Sequence, residues 1–113
     1  MGDVMKTKLE KFCRDPQFED KQQSLYFVTT MGKTDRCIGY YKTLQYARDV
    51  VKHNCKSLCE FGCYKYVVIE AFGPGWYPQA EVEEWYEFIN KGTKVIKIKT
   101  PTQYSNQCNF GIG

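Results

Sequence analysis

The sequence predicts an α+β domain: an antiparallel-rich sheet of about five strands with one long helix packed on a face, plus a short N-terminal helix. Three observations carry this expectation. Five segments are dense in β-branched and aromatic side chains, one stretch repeats apolar residues at helical spacing, and a Gly-containing turn joins two of the strands as a hairpin. One long helix among five strands must bury its apolar stripe on a sheet face.

Residues 1–22 carry Met5, Leu9 and Phe12 at helical spacing, ending before Asp15-Pro16. The residue before a proline disfavours the α region, so a short amphipathic helix stops there. This segment reads as an N-terminal extension ahead of one domain over residues 23–113. Residues 24–30 form the first strand and 36–41 the second, with a turn at Gly32; Gly39 inside the second strand signals a bulge or a close backbone approach. Thr43 then caps a helix over about 44–57; Leu44, Ala47, Val51, Cys55 and, just past its end, Leu58 make one apolar stripe, and Arg48, Lys52 and Lys56 lie off it.

Gly62 marks the stop, and residues 63–70 form the third strand. Its Val67-Val68-Ile69 run does not alternate, which suits a central strand buried on both faces. Two Gly and two Pro exclude regular structure over 71–78. Strands over 82–89 and 93–99 flank Asn90-Lys91-Gly92, a hairpin with a two- or three-residue loop. Glu83, Glu84 and Glu87 on one strand are expected to face Lys94, Lys97 and Lys99 on the other. The sheet face away from the helix must be solvated, covered by the N-terminal extension, or covered by another copy; the aromatic content of 16% favours another copy and hence a homo-oligomer.

Length and composition bound the function. A chain of 113 residues is one domain, and 42% hydrophobic with 26% charged residues is ordinary for a soluble globular protein. No apolar run is long enough to span a membrane, and the first residues lack the apolar core of a signal peptide. Net charge is +3, too small for the basic footprint of a polymeric nucleic-acid binder, and the basic residues after Asn90 have an acidic strand to pair with. Cys55, Cys59 and Cys63 lie four apart with His53 nearby, but zinc favours two closely spaced pairs, so these cysteines are read as small hydrophobes with no metal. No Ser-His-Asp order, H-E-x-x-H or phosphate-loop motif is present, so the expected protein is non-enzymatic, with no catalytic residue and no cofactor.

Small-molecule binding fits the loops better. A nucleotide asks for Lys or Arg at its phosphates, aromatic faces for its base and amides for its polar edges. The first turn supplies Lys33 and Arg36, the 71–78 loop supplies Trp76 and Tyr77, and the tail supplies Asn106, Asn109 and Phe110. Each has a plainer alternative. Trp76 and Tyr77 would equally plug a sheet edge or meet a second subunit, Arg36 would pair with Asp35 or a nearby Glu, and the asparagines would satisfy turn backbone.

The segments Tyr26-Phe27-Val28-Thr29-Thr30, Gly39-Tyr40-Tyr41-Lys42-Thr43, Tyr64-Lys65-Tyr66-Val67-Val68-Ile69-Glu70, Trp85-Tyr86 and the closing Asn109-Phe110-Gly111-Ile112-Gly113 resemble a family of short proteins encoded by phages and prophages of Gram-positive gut bacteria. The resemblance covers residues 24–113 and departs at 1–22. It implies a counter-defence role in the host cytoplasm and assigns no catalytic residue. The function expected is sequestration of a small nucleotide-derived immune signal; the alternative is a protein-binding inhibitor or structural interaction module acting through its aromatic loops.

Overall fold

Apolar β-branched residues in unbroken succession leave a strand no polar face to turn toward water. Val67, Val68 and Ile69 are accordingly fully buried at the centre of the sheet. The computed structural model describes residues 24–73 and 80–111. The short helix expected within residues 1–22 lies outside them. The fold is α+β, a five-stranded sheet in the order β2-β1-β3-β4-β5 with every neighbouring pair antiparallel. The strands are β1 (Leu25–Gly32), β2 (Asp35–Tyr41), β3 (Tyr64–Phe72), β4 (Ala80–Ile89) and β5 (Lys94–Ile98). Helices α1 (Leu44–His53) and α2 (Cys55–Cys59) stand between β2 and β3.

The expected single helix is thus two. Thr43 caps α1 as its hydroxyl predicts, accepting from the Tyr46 N–H at 3.0 Å. The break falls at Asn54, whose side-chain amide donates back to the Val50 carbonyl at 3.1 Å. An Asx side chain competing for the helix's own carbonyls is a known interrupter of helices. The apolar stripe survives the break: Ala47, Val51, Cys55 and Cys59 are buried with Val28, Val67, Ile69, Tyr86 and Phe88. Gly92 lets the β4–β5 turn close on α2, because a Cβ there would come within 2.8 Å of the Cys59 Sγ.

Two further boundaries move. Ala71 and Phe72, expected in a loop, continue β3 because they pair with Tyr26 and Leu25 of β1. The β4–β5 loop runs over residues 90–93, one longer than the longest expected, since Ile89 pairs with Lys94. Thr93 completes it by donating its hydroxyl to the Asn90 carbonyl at 2.8 Å. The bulge signalled by Gly39 is present: β1 pairs Val28 with Gly39 and Thr29 with Cys37, skipping Ile38.

On the other sheet face the chain's own tail covers the apolar centre. After β5 the chain turns through a short 3-10 segment, Thr102–Tyr104, and its tail lies across β1, β3 and β4. Tyr104 stacks on Trp85 with ring centroids 5.2 Å apart, and Phe110 meets the same indole edge-on at 5.5 Å. These rings seal Met31, Val68 and Trp85 from water. The strap is pinned at its far end by Glu70. This carboxylate is wholly buried and accepts the Asn109 N–H at 2.7 Å and the Gly111 N–H at 3.1 Å.

Candidate functional site

Where the β1–β2 turn meets the start of β3, the backbones nearly touch. A Cβ on Gly32 would overlap the Cys63 carbonyl oxygen, so glycine is what lets the two segments lie together. Just before Cys63, Glu60, Phe61 and Gly62 take left-handed φ values of 50°, 58° and 91° in succession. The turn is closed by backbone bonds, Gly62 N–H to the Cys59 carbonyl and Cys63 N–H to the Glu60 carbonyl. It leaves Phe61 wholly exposed.

Between these turns and the strap lies an open cleft of about 730 Å³. Lys33, Phe61, Lys65, Tyr66 and Tyr104 line it. The Lys65 ammonium stands 5.4 Å from the Tyr66 ring centroid, a cation–π distance. Burial, then the charge of Asp35 and the neighbouring Tyr66, push the Tyr104 hydroxyl above its usual range, so at neutral pH it remains a donor. Glu60, also on the cleft wall, is held by Arg36 at 2.9 Å in a largely exposed pair. Such pairs contribute little to stability and exchange readily for another anion.

Of the residues expected to bind, Lys33 lines this cleft and Arg36 stands at its rim, bonded to Glu60. Asn106 is exposed and does not line the cleft. Asn109 and Phe110 correct the expectation. Asn109 is at a left-handed φ of 65° and its side-chain oxygen accepts the Ala80 N–H at 3.1 Å, while Phe110 packs on Trp85 and Tyr104. Both hold the strap, the Asn109 side-chain oxygen being taken by Ala80 and the Phe110 ring by Trp85 and Tyr104. Trp76 and Tyr77 lie outside the described residues. The sequence reading missed Lys65, Tyr66, Tyr104 and Phe61. No local pattern pointed to Lys65 and Tyr66, because the register shift opposite Met31 and Gly32 puts Tyr64 and Tyr66 in different clusters.

A second polar centre joins helix to sheet. Glu84, expected in a surface charge ladder, is buried on the helix side of β4. Arg48, expected off the apolar stripe of its helix, clasps it through Nε and Nη2 at 2.9 and 2.6 Å. Lys97 adds a contact at 3.3 Å and the Tyr86 hydroxyl donates to the same carboxylate. Of the expected Glu–Lys pairs across β4 and β5, Lys97–Glu84 forms on the diagonal, since the register sets Lys97 opposite Tyr86, while Lys94 stands opposite Ile89. Burial alone would raise the Glu84 carboxyl, but hydrogen bonds from Arg48, Tyr86 and Lys97 hold it down to about 2. Glu70 goes the other way: burial raises it, and the strap's N–H groups only partly oppose that.

The two carboxyls act on opposite sides of their ordinary value of 4.5. A lowered folded pKa gives Glu84 a stabilisation present above 4.5 and lost as pH falls toward 2. A raised one gives Glu70 a contribution present below 4.5 and lost as pH rises through its folded value. Thermal melts across pH 2–5 should show a falling acid limb that Glu84→Gln flattens. An unchanged acid limb in that variant would show the Glu84 carboxylate to be unimportant for it.

Among the described residues no group of three or more His, Cys, Asp or Glu is placed to hold a metal ion. Cys55 and Cys59 are packed in the core, Cys63 is exposed and His53 is exposed at the end of α1. No helix among the described residues is long and apolar enough to cross a membrane. Comparison with protein-family models, with curated proteins and with solved structures gives no match to the chain.

Proposed function

We propose that the chain is a non-enzymatic binding protein that captures a small nucleotide-derived anion in the cleft between Lys33, Lys65, Tyr66 and Tyr104. One observation carries this reading: two ammonium groups and several aromatic faces share one open cleft at one end of the sheet. Ammonium groups meet phosphate oxygens through charge-assisted hydrogen bonds, and the protonated Tyr104 hydroxyl adds a neutral donor. The resemblance to phage-encoded proteins gives that capture its purpose, withholding an immune signal in the infected host's cytoplasm.

The test combines native mass spectrometry of the purified chain, which also counts subunits, with denaturing release of anything bound. An intact nucleotide-derived ligand is the expected result. Lys33 and Lys65 are exposed, so Lys33→Ala with Lys65→Ala should fold normally. The double variant should lose affinity by about tenfold or more, the order expected for removed bonds to charged phosphate. A double variant that retains the ligand as wild type does would place the site elsewhere.

A further inference from the structure

We propose that Phe61 is the platform on which the ligand's planar ring stacks, with the phosphates turned toward Lys65. This rests on the capture of a nucleotide-derived ligand proposed above and assigns the contact that selects for its base. Phe61 is fully exposed and sits at a φ of 58°, between Glu60 at 50° and Gly62 at 91°. Both features work against stability. A ring in water gains nothing from burial, and a non-Gly residue in the left-handed region is strained by its Cβ against the following carbonyl. Strain and an exposed apolar ring at the same position point to a role outside folding.

The surroundings say what the ring meets. Phe61 stands between the 730 Å³ cleft and a second cleft of about 600 Å³, floored by Tyr64 and Phe88 and rimmed by Lys91. Lys65 lines both. A protein partner reaching this ridge would have to cover ammonium groups on each side of the ring. A nucleotide satisfies both kinds of group at once, its base on the ring and its phosphates on the lysines, because stacking and charge pairing are separate parts of one small ligand.

Calorimetric titration of the full chain with ATP, GTP and tripolyphosphate tests the assignment. Wild type should bind at least one nucleotide about tenfold more tightly than tripolyphosphate, the order expected for one stacked base. Phe61→Asn should melt no lower than wild type, because Asn tolerates the left-handed region. It should bring the nucleotide down to the tripolyphosphate affinity while leaving tripolyphosphate unchanged, and Phe61→Trp should retain the nucleotide. If Phe61→Asn leaves nucleotide affinity intact while Lys65→Ala weakens it, Phe61 is not the platform and the cleft proposal stands. If wild type binds neither nucleotide nor tripolyphosphate, both proposals fall together.

Discussion

Glu70→Ala is expected to release the C-terminal strap. The substitution leaves the Asn109 and Gly111 N–H groups without their acceptor beneath the tail. Hydrogen bonds to a charged group are worth about 1.5–3 kcal/mol each, and relief of the buried charge returns part of that, so a net loss of roughly 2–3 kcal/mol follows. For a domain of this size that is a melting temperature lower by about 10 °C. Glu70→Gln should fall between, since its amide oxygen still accepts one N–H while its NH₂ faces the other. Hydrogen exchange gives the sharper reading. The amides of Asn109 and Gly111 should lose protection in Glu70→Ala before β3 does. Equal protection in variant and wild type would mean the strap is held by its rings alone.

Trp85→Ala should cost more, about 3–5 kcal/mol, the range for deleting a buried large aromatic. The indole is 1% exposed and joins the two halves of its face: Met31 and Val68 beneath, Tyr66, Tyr104 and Phe110 around and above. Removing it opens a cavity that none of these can fill without leaving a partner. Denaturant unfolding should show the loss as a lower midpoint at unchanged slope, and Trp85→Phe should recover much of it. A loss below about 1 kcal/mol would mean that the strap collapses into the space.

The sheet was legible because its signals are local. Runs such as Val67-Val68-Ile69 and the turn at Asn90-Lys91-Gly92 announce strands and a hairpin through neighbours in sequence. The covering of the second face was not, because nothing in the composition of Asn109-Phe110-Gly111 says that its N–H groups meet a carboxylate thirty-nine residues earlier. The Arg48–Glu84 clasp escaped for a similar reason. A charged residue off an apolar stripe reads as solvated until the partner strand is known, and thirty-six residues separate these two. At the site, Lys33 and Arg36 were legible as a basic turn, whereas Phe61 was hidden beside a glycine that read only as a helix stop. Phe110 misled because its ring looked available on a polar tail, and burial against Trp85 is a tertiary fact.

The outermost strands resist extension by a neighbour. β2 is seven residues long and kinked by the bulge at Ile38, so its free rail of N–H and C=O groups is uneven. β5 is five residues long and carries Lys94 and Lys97. A strand added from another molecule would find broken spacing on one side and ammonium groups on the other, the same devices that keep sheet proteins from growing into fibres. Among the described residues the backbone ladder thus ends on β2 and β5, and neither offers an even, uncharged edge to a further strand.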